Sequence, residues 1–221
     1  MKQKRMHELG SRLLTVAGLV PYGSRIADIG TDHAYLPVYL ASKGLISRAI
    51  ASDINPLPLE NARKNIDRFD AGGVVELKLS DGIKGIDAKA VDVFIIAGMG
   101  GETIAEIMRD AAGYKQKFIL SPMTNAVKLR RALYSMGFSI KRELLAREGY
   151  RIYPIMEVYY TGICFENSLY ERASKALLDG DSEHKREYIE KTVRSIEKEA
   201  KAGENVEELL ALADTLRRTV K

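Results

Sequence analysis

Ile26-Ala27-Asp28-Ile29-Gly30-Thr31-Asp32-His33-Ala34-Tyr35-Leu36-Pro37 is the stretch from which the fold of this 221-residue chain can be laid out. A short apolar run ends on a carboxylate. A glycine and three polar residues follow, and a helical pattern then begins, which predicts a strand, a tight turn and a helix N-terminus. Such a turn lets a ligand approach the backbone closely, because glycine has no side chain and the first amides of a helix have no internal partners. The dinucleotide fingerprint needs three glycines at fixed spacing. Here only Gly30 is present, with Asp32 and Ala34 at the next two alternate positions, which disfavours a pyrophosphate. Asp28 and Asp32 would repel phosphate and suit a cofactor with a cationic end, such as the amino group and sulfonium of S-adenosylmethionine. The plainer alternative is a structural turn with Asp32 as the helix N-cap.

On the N-terminal side, Leu9, Leu13, Val16, Ala17 and Val20 recur at helical spacing. They predict a helix within 4–20 that Pro21-Tyr22-Gly23 ends, with Lys4, Arg5, His7 and Arg12 off its apolar stripe. On the C-terminal side, a short helix from Leu36 to Lys43 stops at Gly44. Strands follow at 49–54, 74–79, 91–97 and 117–120, separated by helical patterns, one of which opens with Asn55-Pro56 in the order of cap then proline. Strands alternating with helices imply a parallel sheet covered on both faces, with ligands at the carboxyl ends of its strands. The loops after Asp28, at Asp53, at Asp81 and at Gly98-Met99-Gly100-Gly101 all fall on that edge.

The last two strands, 138–146 and 151–160, are separated only by Arg147-Glu148-Gly149-Tyr150. A parallel crossover needs a dozen or more residues, so this pair is predicted to be an antiparallel hairpin. A mostly parallel, seven-stranded sheet closed by such a hairpin is the methyltransferase variant of the Rossmann-like α/β fold. From Glu166 the composition shifts. Ile189, Val193, Ile196 and Ala200, then Val206, Leu209, Ala213, Leu216 and Val220, form two short coiled-coil-like seams. They predict a helical hairpin whose second helix starts with Asn205 and Glu208 as a capping box, preceded by a shorter helix carrying Leu169, Ala173 and Leu177. The expected division is a methyltransferase domain over 1–165 and a helical hairpin over 166–221.

Apolar residues make up 46% of the chain and charged residues 29%, the proportions of an ordinary globular protein. One cysteine, Cys164, excludes an internal disulfide framework and a cysteine-cluster metal site; no metal is expected. No apolar run approaches membrane-spanning length and no signal-peptide pattern opens the sequence, so the expected location is the cytoplasm. Residues 166–221 hold 11 Lys and Arg against 13 Asp and Glu, and residues 1–165 hold 23 against 17. The basic excess therefore sits with the candidate cofactor site. Seven basic residues between Lys128 and Arg151, among them Arg130, Arg131 and Arg147, are opposed by two acidic ones and form a candidate footprint for a polyanion; scattered surface charge is the alternative.

The motif over 27–37, together with Ile96-Ala97-Gly98-Met99-Gly100-Gly101, resembles the bacterial tRNA (adenine-N1)-methyltransferases that modify adenine 22 of the D arm. Val20-Pro21, Asp81-Gly82, Ser121-Pro122-Met123 and the Glu148-Gly149 turn extend the resemblance over roughly residues 9 to 160. It implies an S-adenosylmethionine-dependent fold with a helical appendage, a tRNA substrate, and methyl transfer to N1 of adenine. Within it, Asp28, Gly30 and Thr31 are expected at the methionyl end of the cofactor. Asp53 with Ile54 is expected at its ribose, Asp81 with Gly82 at its adenine, and Ala97 and Gly98 along its edge. Asp32, His33, Gly98 and Met99 are the candidate catalytic residues. N1 of adenine already carries a free lone pair, so the reaction needs alignment and an acceptor for the amino hydrogens rather than a base. Lys128, Arg130, Arg131, Arg147 and Arg151 are the candidate RNA contacts. Two other readings remain: the same cofactor with another RNA or a small molecule as acceptor, and a non-catalytic nucleic-acid or protein adaptor.

Overall fold

A computed structural model describes residues 8–203 and 205–220. Lys4, Arg5 and His7 of the expected first helix lie outside the described residues. Within them the first helix is shorter than expected, α1 (Ser11–Gly18), followed by β1 (Ser24–Ile29), α2 (Tyr35–Ser42), β2 (Ile46–Asp53), α3 (Pro56–Arg68) and β3 (Val75–Leu79). Then come β4 (Val93–Ala97), α4 (Gly101–Arg109), β5 (Lys117–Ser121), α5 (Ala126–Ser135) and the strands β6 (Phe138–Glu148) and β7 (Arg151–Tyr160). The seven strands form one sheet in the order β3-β2-β1-β4-β5-β7-β6. All neighbours are parallel except β7, which is antiparallel to both β5 and β6. Because β7 runs backwards, β6 runs with the parallel set. Its turn at Gly149, left-handed with φ +57°, therefore lies on the same edge as the carboxyl ends of β1 to β5.

Strand side chains alternate between two buried layers. Ile26, Val93, Ile95, Ile119 and Ile155 pack under α1, α2 and α3. Ala27, Phe94, Ile96, Phe118, Leu120 and Met156 pack under α4 and α5. The chain crosses from one side of β1 to the other between β3 and β4, so β1 and β4 flank the point where strand order reverses, which is where open α/β sheets bind ligands.

Residues 161–167, which contain the expected boundary at 165/166, have no regular structure. The shorter helix expected next is two helices, α6 (Ser168–Arg172) and α7 (Lys175–Asp179). Ser174 separates them and accepts from the Leu177 amide at 3.1 Å as the cap of α7. The helical hairpin is α8 (Lys185–Ala200) and α9 (Val206–Arg218). Two details differ from expectation. Asn205 is left-handed, with φ +51°, and makes no capping bond, because an N-cap side chain reaches its amide from extended backbone. Val206 is exposed, and Leu212 takes its place in the seam. This third core also contains Leu145 of β6, so the helices are packed onto the edge of the sheet.

The bolt that holds them is Arg130. Its side chain and that of Glu143 are fully buried, with Nη2 2.5 Å from Glu143 Oε1. The same nitrogen donates to Tyr188 Oη of α8 at 2.8 Å, and Nη1 donates to the carbonyls of Glu171 and Arg172 at 3.1 and 3.0 Å. Arg130 is therefore removed from the candidate RNA contacts. A charge with no exposure and a full set of protein acceptors has nothing left for phosphate.

Candidate functional site

The end of β1 is tied down before it turns. The amides of Gly30 and Thr31 both donate to the Ser52 carbonyl of β2, at 2.8 and 2.9 Å. These two N-H groups, read from the sequence as available to a ligand, are thus consumed by the sheet. Gly30 is left-handed, with φ +74°, and a Cβ there would lie 1.9 Å from Met99 Cε. The Met99 side chain therefore lies directly over the turn. Thr31 is buried, and its Oγ1 accepts from the Ala34 amide at 3.2 Å. Ala34, left-handed with φ +51°, occupies the N-cap position of α2. Asp32 is thus no cap. It stands on the surface with its Oδ2 3.2 Å from His33 Nε2, and the His33 ring stacks on Tyr35 at 4.9 Å.

Asp28 is buried beneath that turn. Its carboxyl is pushed up to about 6, chiefly by burial, against the opposing pull of a hydrogen bond from Thr31 and the charge of Arg12. Such a group gains most from a cationic ligand.

Between β1, β2, β3 and α4 lies a cleft of about 280 Å³. Of the residues expected at a cofactor, Gly30, Asp53, Ile54, Asp81 and Gly82 line it, as does Met99. Asp53 Oδ1 accepts from the Asn55 amide at 2.8 Å, which leaves Oδ2 for a hydroxyl pair. Ile54 is exposed at the lip, an apolar surface for one face of a planar ring. Asp81 Oδ2 is held by Lys84 at 2.8 Å, and Lys84 also reaches Asp110 at 3.6 Å. Those two carboxylates raise the Lys84 ammonium above the ordinary lysine range. Asp28, Thr31, Asp32, His33, Ala97 and Gly98 lie outside the lining.

Sequence reasoning missed the far wall. Thr103, Glu106, Ile107 and Asp110 line it from α4. Their spacing of three, four and seven puts them on one face of a helix, a signal present in the sequence but without any indication that this face meets the strand ends. Lys84, in the turn after Asp81, was missed because nothing in the sequence joins that turn to Asp110 beyond α4.

The glycine loop after β4 divides in function. At Gly101 a Cβ would lie 2.4 Å from the Asn125 carbonyl oxygen, so that glycine serves close packing of α4 on the β5–α5 loop. Gly98 is left-handed, with φ +113°, and faces open space. The Met99 carbonyl accepts from the Met123 amide at 2.8 Å, which leaves it one lone pair for a substrate amino group.

Three of the candidate RNA contacts are neutralised locally. Lys128 pairs with Glu102 at 2.5 Å and Arg131 with Glu171 at 2.8 Å, and Arg147 pairs with Glu187. Arg151, at the hairpin tip, lies 5.6 Å from the ring of exposed Tyr150. No cluster of His, Cys, Asp and Glu suited to a metal occurs among the described residues. Among them, no helix is long and apolar enough to cross a membrane.

A sheet of this order with carboxylates at successive strand ends is shared by many proteins, and comparison with known families narrows the field. A family model described as a methyltransferase domain matches residues 9–156. The chain belongs to that family. The tRNA (adenine(22)-N(1))-methyltransferase of Bacillus subtilis is 34% identical over 152 residues, covering 67% of this chain and 64% of that protein, so the match spans just under two thirds of the relative's length. Among solved structures, a Streptococcus pneumoniae protein in complex with S-adenosyl-L-methionine superposes with a TM-score of 0.83 at 28% identity, covering 97% of this chain and 100% of that one. M. capricolum TrmK in complex with S-adenosyl-homocysteine gives 0.80 at 27% identity, covering 97% and 98%. The Rossmann-like methyltransferase fold and the family resemblance drawn from the motifs are borne out.

Proposed function

We propose that this methyltransferase-family protein binds S-adenosylmethionine and transfers its methyl group to N1 of an adenine in tRNA, adenine 22 of the D arm being the expected target. The single observation that carries the cofactor is the convergence of Asp53, Asp81 and Gly30 on one cleft at the carboxyl edge, with buried Asp28 beneath the turn. The residues fit the group. Asp53 offers an oxygen to ribose hydroxyls, Ile54 an apolar surface to the adenine, Asp81 an acceptor for its amino group, and Asp28 a carboxylate for an ammonium. Met99, over Gly30, has to turn aside for the chain linking these ends. The target is carried by the likeness to the B. subtilis tRNA methyltransferase.

When bound, the cofactor supplies an electrophilic methyl on a sulfonium. Transfer of that methyl to the N1 lone pair would leave positive charge on the adenine ring. This chain has to hold the ring in line and balance that charge. Asp32, exposed beside the turn, and the bare backbone of Gly98 are the groups assigned to this task. His33 orients Asp32, and Tyr35 backs the His33 ring. Residues 166–221 act as a helical appendage that orients the tRNA.

Incubation of the full chain with methyl-labelled cofactor and unmodified tRNA, followed by digestion to nucleosides, tests this reading. Label in 1-methyladenosine is expected. Label in N6-methyladenosine or a guanosine would contradict the chemistry, and label only in a small metabolite would move the acceptor. A chain that binds no cofactor product would be an adaptor.

A further inference from the structure

The β6–β7 ladder outlasts the rest of the sheet. Pairing between β5 and β7 ends at Leu120 and Met156, whereas β6 and β7 stay paired as far as Glu148 and Arg151. Residues 151–155 therefore carry the hairpin past the last β5 pair, by roughly 16 Å at about 3.3 Å per residue. In the sheet β7 is two strands from β4, about 10 Å sideways, so one bound RNA can meet both the Gly98 loop and the hairpin tip.

An overhanging turn is ordinarily where a chain is loosest. This one is tied down from two sides. On the α1 side, Ser11 Oγ donates to the Arg147 carbonyl, the Arg12 amide donates to Glu148 Oε1 at 3.1 Å, and Arg12 Nε lies 3.8 Å from Glu148 Oε2. Arg12 was expected on the solvent side of its helix, yet its side chain is only 11% exposed. Its Nη1 lies 3.5 Å from Ser121 Oγ and its guanidinium carbon 5.9 Å from the centre of the Tyr153 ring. On the α8 side, Lys191 Nζ donates to the Tyr150 carbonyl at 3.2 Å and pairs with Glu187 at 2.9 Å, and Glu187 also pairs with Arg147.

What the bracing presents is Tyr150. Its backbone is held while its ring is 79% exposed, with the Arg151 guanidinium 5.6 Å from the ring centre. A single exposed aromatic needs no explanation, but a tyrosine on a fixed post beside a site offers a large contact surface at low entropic cost. The surroundings select the occupant. Arg12, Arg147, Arg151 and Lys191 stand against two carboxylates, Glu148 and Glu187, and Arg151 has no carboxylate partner among the described residues. An aromatic face in a cationic setting suits a nucleobase with its phosphate. An apolar peptide or a lipid chain would leave the excess charge unmatched.

We propose that Tyr150 stacks on an unpaired base of the bound tRNA other than the target adenine, so that the hairpin tip fixes the register of the RNA against the cofactor cleft. This rests on the tRNA reading above. Tyr150 is a positioning residue and touches no reacting atom. Its partner lies outside a paired stem, because a base inside a duplex has both faces covered by its neighbours.

The chain contains no tryptophan, so Tyr150→Trp in the full chain supplies a single indole whose emission reports on this position alone. Titrated with an unmodified tRNA transcript, that variant is expected to bind at least as tightly as wild type and to lose emission as its ring stacks, while a fully paired RNA duplex leaves the emission unchanged. Tyr150→Ala is expected to weaken tRNA binding by roughly 5- to 150-fold, the range for one stacked base. Its salt slope, which counts phosphates, and its binding of S-adenosylhomocysteine should match wild type, and Tyr150→Phe should restore tRNA binding. Wild-type tRNA affinity in Tyr150→Ala, or Tyr150→Trp emission indifferent to tRNA, overturns the proposal. So does equal quenching by the duplex, or a flattened salt slope in Tyr150→Ala, either of which would make the contact one with the RNA backbone. A wild type that binds S-adenosylhomocysteine but no tRNA removes the substrate reading itself, and the proposal with it.

Discussion

Asp28 couples the site to stability. Its folded-state value of about 6 lies above the ordinary 3.8, so the native state binds the proton more tightly than the unfolded chain. That contribution is present in full below pH about 4 and is lost as pH rises through about 6. The two-unit displacement corresponds to on the order of 3 kcal/mol. Asp28→Asn is therefore expected to match wild type in ligand-free stability near pH 4, to exceed it at pH 7.5, and to bind S-adenosylhomocysteine more weakly. Urea denaturation at the two pH values reads this directly, and a variant less stable than wild type at pH 7.5 would contradict it. Asp32 and Asp53 divide differently. Asp32→Ala should lower turnover by ten-fold or more with little change in cofactor affinity, since Asp32 lies outside the cleft. Asp53→Ala should chiefly weaken the cofactor. Parallel losses in both variants would erase the distinction. Asp28, Asp53 and Asp81 were legible in the sequence because a strand that ends on a carboxylate announces its own position. Arg12 and Arg130 were misread because their burial depends on Ser121, Tyr153, Glu143 and Tyr188, which only the tertiary fold brings to them.

At the scale of elements, alternating strands and helices made the parallel sheet readable, and the four residues between β6 and β7 were too few for anything but a hairpin. The wall from α4 was not readable. A helix declares its apolar face by its spacing, whereas the polar positions that turn toward a ligand follow from how it crosses the sheet. The Arg130–Glu143 pair joins α5, β6, α6 and α8. Removing one member of a buried, hydrogen-bonded ion pair leaves the other uncompensated and costs about 3 to 5 kcal/mol. Glu143→Ala is expected to lower unfolding free energy by that amount and to loosen the helices beyond residue 166 first, visible as faster amide exchange in α8. A loss below about 1 kcal/mol would show that the pair is dispensable as a bolt.

Across the whole molecule, the net charge of +4 conceals local neutralisation. Lys128, Arg131 and Arg147 each have a carboxylate partner, so the salt dependence of tRNA binding should be shallower than their number suggests. The hairpin tip, with Arg151 against Tyr150, stands on the same edge as the cofactor cleft. Arg151→Ala is expected to reduce the slope of log affinity against log salt by about 0.7 to 0.9, one phosphate, without altering S-adenosylhomocysteine binding. An unchanged slope would remove the tip from the RNA interface. The account stands most directly on where the methyl group goes. A methyl on N1 blocks the pairing edge of adenine, so reverse transcription of tRNA treated with the full chain and S-adenosylmethionine reports the position. The predicted result is a new stop immediately before adenine 22, absent when the cofactor is omitted and absent from a transcript with guanine at that position. Full-length extension of every treated tRNA, or a stop elsewhere that persists without adenine 22, would contradict it.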